Sequence, residues 1–143
     1  MRLFVYCSDP REAADLERKI NQKLLKPGEK ITRLTLYGGP IPFAHPRDLR
    51  AGAESFLEQI RFGMKMPGEF QITEVVLVFH DCGFYANVPF SVTRQTKLHD
   101  VVRAIRFLRK HIHRIKIRAY YDSSVGDKIS FIRYRARRLA CAN

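Results

Sequence analysis

Apolar positions along the chain switch between two periods, and the switches mark out its elements. Residues 2–7, RLFVYC, pack aromatic and β-branched residues without alternation, the pattern of a strand covered on both faces. A helix start follows at once: Asp9 suits the N-cap, Pro10 the first helical position and Glu12 the first turn. Ala13, Leu16, Ile20 and Leu24 then share one face at helical spacing, and KPGEK at 26–30 closes the segment with a turn. ITRLTLYGG, 31–39, alternates as a second strand. GGPIPFAHP, 38–46, holds two glycines and three prolines, which predicts an ordered loop and excludes a helix. A helix is predicted from Asp48 to Met64 with Ala53, Phe56, Leu57 and Ile60 inward, broken by MPGEF. ITEVVLVF, 72–79, is the strongest strand. After GFYANVPFSV a third helix is predicted over 97–109, with Leu98, Val101, Val102, Ile105, Leu108 and Ile112 on one face. IKIRAYYD, 115–122, reads as a strand, SSVGDK as a turn, ISFIRYR as an edge strand or extended segment, and ARRLACAN, 136–143, as a basic mobile tail.

The order β-α-β-α-β-α-β, then a short β, implies right-handed crossovers. The expected fold is therefore a single-domain α/β fold over residues 1–135. It has an open, mostly parallel sheet, four parallel strands plus a C-terminal edge strand, with helices on both faces. At 143 residues, 45% hydrophobic and 28% charged, the composition suits one such domain. No apolar run approaches the roughly 20 residues that a membrane-spanning helix needs. The apolar stretch after Met1 is shorter than the about 7–15 residues of a signal-peptide core. The expectation is a cytoplasmic protein without membrane contact.

In open α/β sheets function collects at the carboxyl ends of the strands. Two predicted strands end in chemically loaded residues. The first ends CSDPR, with Cys7, Asp9 and Arg11 at a strand-to-helix turn; the third ends HDCG, with His80, Asp81 and Cys82 before Gly83. A parallel sheet puts both ends on one rim. Two thiols and an imidazole could converge there as the donor set of a zinc site with an open fourth position, beside an Asp9–Arg11 ion pair. For a single Cys, the competing reading is a small buried hydrophobe. Three cysteines, Cys7, Cys82 and Cys141, cannot all pair within one chain, so free or metal-bound thiols are expected.

With these motifs the chain resembles the β-class carbonic anhydrases, as a compact, divergent member. Cys-x-Asp-x-Arg after the first strand and His and Cys before Gly after the third carry the likeness. LYGGPIP, at the family's Gly-containing loop, and IRAYYDSSVGDKISF, at its final strand and turn, extend it in the same order. The resemblance implies Zn2+ as cofactor, with Cys7, His80 and Cys82 as metal ligands and Asp9 and Arg11 as the catalytic gating pair. In the family the Asp either takes the fourth metal position or pairs with the Arg and leaves it to water. The implied reaction is a lyase reaction, zinc hydroxide attacking CO2 to give bicarbonate. The family spacing is His-x-x-Cys, whereas this chain has His80-Asp81-Cys82. Aligned without a gap, the ligand position falls on Phe79, which cannot bind metal. With one residue deleted, it falls on His80. Residues i and i+2 of a strand project to one face, which lets His80 and Cys82 chelate together unless the strand already turns at Asp81. Phe84 and Tyr85 are bulkier than the residues common after the family's Cys-Gly, and could narrow the pocket.

Charge adds an alternative. Residues 94–143 carry 14 Lys and Arg against three Asp, a net +11, while residues 1–93 carry +1. Arg103, Arg106, Arg109, Lys110 and Arg114 would line the outer face of the third helix. Arg133, Arg135, Arg137 and Arg138 cluster near the end, with Phe131 and Tyr134 among them. This half is open to nucleic acid, so the alternative is a catalytically inactive member of the fold acting as a basic binding module. The competing reading is a solvated charged face. His45, His99, His111 and His113 are expected at the surface. An exposed sheet edge predicts a homodimer.

Overall fold

The uninterrupted apolar runs become the central strands. The computed structural model describes residues 1–88, 90–92, 94–122 and 129–131, the last of these groups and 94–96 in part by backbone alone. Strands β1 (Arg2–Cys7), β2 (Ile31–Leu36), β3 (Glu74–His80), β4 (Lys116–Asp122) and β5 (Ile129–Phe131) form one sheet in the order β2-β1-β3-β4-β5. β1 to β4 pair in parallel, and β5 returns antiparallel to β4. β1 and β3, at the centre, are buried along almost their whole length. β2, at the edge, is half exposed, which is why its sequence alternates while theirs does not.

Helix α1 (Ala13–Lys19) connects β1 to β2, and helices α2 (Ile41–Ala44), α3 (Arg50–Lys65) and α4 (Arg94–His111) follow β2 and β3. The step from β1 to β2 runs one way along the sheet and the later steps run the other. Right-handed crossovers therefore put α1 on one face and α2, α3 and α4 on the opposite face. The side chains agree. Tyr6 points to α1, where its hydroxyl donates to Glu17, while Phe43 of α2 packs against Phe56 of α3 and Phe107 of α4, with ring centroids 5.3 and 6.0 Å apart. This is the expected α/β fold.

Three elements depart from the sequence reading. The segment 38–46 is not wholly a loop: Ile41–Ala44 forms a helical turn, with His45 N–H donating to the Ile41 carbonyl at 3.2 Å. Pro40 and Pro42 sit at its cap and first turn, where a helix needs no amide donor, so proline does not exclude helix there. α1 begins at Ala13 rather than beside Pro10, because residues 10–12 form a preceding turn in which Glu12 and Ala13 N–H both donate to the Asp9 carbonyl. Its continuation, Ile20–Leu24, widens into a π-helical turn. Leu98, expected inward on α4, is 46% exposed, whereas Val101, Ile105, Leu108 and Ile112 are buried as expected. No described helix is long and apolar enough to cross a membrane. The expected turn 123–128, the segment after residue 131 and the tail, with Cys141, lie outside the described residues.

Candidate metal centre

β1 and β3 are adjacent and parallel, so their last residues reach the same rim. Cys7 ends β1 and His80 ends β3; both are buried. The chain then turns at once: Cys82 N–H donates to the His80 carbonyl at 2.8 Å. Strand alternation is therefore not what brings His80 and Cys82 together. The tight turn at Asp81 does so instead, and Cys82, also buried, caps the 3-10 turn Gly83–Asn87. The Asp81 carboxylate faces outward, accepting from the Tyr121 hydroxyl at 2.8 Å and Lys97 Nζ at 3.1 Å. Burial opposes its ionisation, but these two partners together hold it below the usual carboxylate range.

The Sγ atoms of Cys7 and Cys82 are 3.4 Å apart, and one donor atom from each of Cys7, His80 and Cys82 lies within 4.8 Å of the others. Asp9 N–H donates to Cys7 Sγ at 3.3 Å, and Phe84 N–H to Cys82 Sγ at 3.4 Å. The contact with the Cys82 thiol lowers the Cys7 pKa below the usual thiol range, with His80 and the backbone N–H groups of Asp9 and Gly38 adding to it against desolvation. The same contact and burial push the Cys82 thiol up. His80 is the unusual member: both ring nitrogens are buried and, among the described residues, neither reaches hydrogen-bonding geometry with a partner. A buried imidazole with two unsatisfied nitrogens is costly unless something accepts its lone pair.

No known protein family, curated protein or solved structure matches this chain. The site is therefore read from its own atoms. Tetrahedral coordination with metal–sulfur bonds of about 2.3 Å and metal–nitrogen bonds of about 2.0–2.1 Å puts donor atoms roughly 3.3–3.8 Å apart. Two sulfurs take the upper end of that range, so the thiol pair at 3.4 Å is a few tenths of an ångström closer than a bound metal would set it, and the imidazole beside it supplies a third donor. Cys7, His80 and Cys82 could hold a metal ion.

Asp9 and Arg11 stand beside this group, joined as expected. Arg11 Nε and Nη2 donate to Asp9 Oδ1 and Oδ2 at 2.9 and 2.5 Å, and the Arg11 backbone N–H adds a third bond to Oδ1 at 3.1 Å. Asp9 is buried while the Arg11 side chain is 71% exposed. The Arg11 bonds, side chain first, pull the Asp9 pKa from 3.8 to about 2, and Asp9 in turn raises that of Arg11. Asp9 does not cap α1 with its side chain; Arg11 takes that carboxylate.

Three glycines make room for the arrangement. A Cβ on Gly83 would lie 2.5 Å from Arg11 Nη2. A Cβ on Gly39, whose φ is +52°, would lie 2.7 Å from the Cys7 backbone nitrogen, so this turn presses directly on the end of β1. Gly38, with φ +79°, lies under the Phe84 ring. Phe84 also lines an apolar groove of about 370 Å³ with Leu36, Tyr37 and Pro42, whereas Tyr85 turns inward and bonds Asp100 at 2.8 Å. Of the other histidines, His99, His111 and His113 are exposed. His45 is not at the surface as expected: its side chain is 10% exposed and its Nε2 lies 2.8 Å from the buried Asp100 carboxylate. Sequence reasoning missed this pairing and the buried Lys19–Asp122 ion pair, 2.9 Å long, on the α1 face. Spacing along the chain marks neither.

Proposed function

We propose that the chain is a zinc-dependent, carbonic-anhydrase-like lyase of the β-class kind, interconverting CO2 and bicarbonate, with Cys7, His80 and Cys82 as its zinc ligands. The observation that supports it is two buried thiols and a buried imidazole without a hydrogen-bond partner among the described residues, all on one rim beside a carboxylate clasped by arginine. Zinc held by such donors supplies a Lewis acid that makes a coordinated water acidic near neutral pH. The chain's own groups set the conditions for this. Backbone N–H donors from residues 9 and 84 aim the two sulfurs and favour thiolate over thiol. Arg11 keeps Asp9 ionised and turned to the guanidinium, and Gly83 leaves the space in which Arg11 lies. The outer edge of β2, unpaired among the described strands and with Leu36 and Tyr37 exposed near the same rim, supports a homodimer.

Stopped-flow CO2 hydration on zinc-loaded chain tests the reading. Hydration is expected to rise with pH, and Arg11→Ala is expected to lower it about tenfold or more while zinc is retained, the scale of losing one positioned charge partner. A chain that carries stoichiometric zinc yet hydrates CO2 no faster than buffer would sink the proposal.

A further inference from the structure

The solvent side of the α3–α4 layer carries a separate feature. Arg47, Arg50, Glu54 and Arg61 from α3 and its approach face Phe107 and His111 from α4 across an open groove of about 520 Å³. Its charge is mostly positive. Glu54 is tied to Arg50 at 2.6 Å, in an exposed pair that leaves the Arg50 side chain 79% accessible. Arg61 donates to the His111 carbonyl at 3.3 Å, and Arg47 forms no ion pair among the described residues. Along α4 the exposed Arg103, Arg106 and Lys110 continue the positive surface beside it. Arg50 and Arg61 are three turns apart on α3, about 16 Å at 1.5 Å per residue. That separation is too long for one phosphate and suits a chain of them. Between the arginines the lining combines Ala53 and Leu57 with an aromatic pair: the Phe107 and His111 rings are 4.4 Å apart, and Phe107 is backed by a stacked Phe43.

We propose that this groove binds single-stranded nucleic acid, its arginines contacting successive phosphates and the Phe107–His111 ring pair receiving a base. Charge complementarity selects a polyanion, and the aromatic pair selects one that presents π faces. An anionic membrane surface offers charge without rings to stack, and it does not follow a concave groove. The inference is independent of whether the rim holds a metal.

The test is fluorescence anisotropy on the full chain, with labelled 12-nucleotide RNA and DNA single strands between 50 and 200 mM salt. Affinity is expected to fall with salt by a log–log slope of about −0.7 for each phosphate contact. Arg47→Ala with Arg61→Ala should weaken binding about tenfold or more and flatten the slope by about 1.4, the share of two contacts. His111→Ala should weaken binding several-fold and leave the slope unchanged. Lys26→Ala with Lys30→Ala, remote from the groove, should change little. Circular dichroism checks each variant, and Arg47→Gln with Arg61→Gln replaces any that unfolds. No binding at 50 mM salt would overturn the proposal. So would equal loss in the remote variant, or loss only when Arg133, Arg135, Arg137 and Arg138 are replaced. Binding to phosphatidylserine vesicles but not to oligonucleotide would overturn it too, and assign the surface to membranes.

Discussion

Arg11 acts on Asp9 through charge and on the rim through space, and the two roles can be separated. With its pKa depressed from 3.8 to about 2, Asp9 contributes stability that is fully present above the unfolded value and is lost as pH falls through the folded one. The window lies between about pH 4 and pH 2. Arg11→Ala should return Asp9 towards the ordinary carboxylate range, read by carboxyl-carbon NMR titration; an Asp9 that still titrates near 2 would show that backbone donors alone hold it. Gly83→Ala should do part of the same, because its new methyl displaces the exposed Arg11 head group, with little change in melting temperature. Gly39→Ala meets rigid backbone instead, at Cys7, from a left-handed φ. It should cost more than about 2 kcal/mol, αL strain plus the clash, in urea unfolding. Loss below about 0.5 kcal/mol, an ordinary surface value, would show that the turn can move away.

At the scale of elements, the buried ion pair between α1 and β4 decides more than α1's short apolar face. Lys19 and Asp122 side chains are each 2% exposed. Burial opposes the Lys19 charge, but Asp15 and Asp122 more than offset it and raise its pKa. Lys19→Met takes the buried Asp122 carboxylate's lysine away and should destabilise by up to about 3–5 kcal/mol, with Lys19→Met, Asp122→Leu recovering part of it. Equal losses in the single and double variants would mean that packing, not charge, is at stake there. The sequence could not announce this pair, since a lysine at position 19 and an aspartate at 122 look like solvated helix and strand-end residues until the topology joins them. The sheet itself was legible, because β1 and β3 are buried on both faces and show unbroken apolar runs. The same topology makes Cys7 and Cys82 readable as rim neighbours. His80 was open because the outcome turned on one backbone hydrogen bond at Asp81, which no spacing rule contains. The prolines at 40 and 42 misled because their position in the turn, not their number, decides whether helix forms.

For the whole molecule, charge and edges matter most. Arg103, Arg106, Arg109 and Lys110 of α4 are exposed, and among the described strands β2 pairs only with β1, leaving its outer edge open. An open parallel edge flanked by exposed Leu36 and Tyr37 invites a second copy. Sedimentation at micromolar concentration should give a dimer; a monomer would contradict it.

The rim's three donors define one testable property, a group that could hold a metal ion through two sulfurs and one nitrogen. Elemental analysis of the purified chain, after incubation with Zn2+ and removal of the free ion, measures it directly. About one zinc per chain is expected, lost in Cys7→Ser and Cys82→Ser and reduced in His80→Ala, as three-ligand sites require. A wild-type chain that retains no zinc, or variants that retain it in full, would contradict the account.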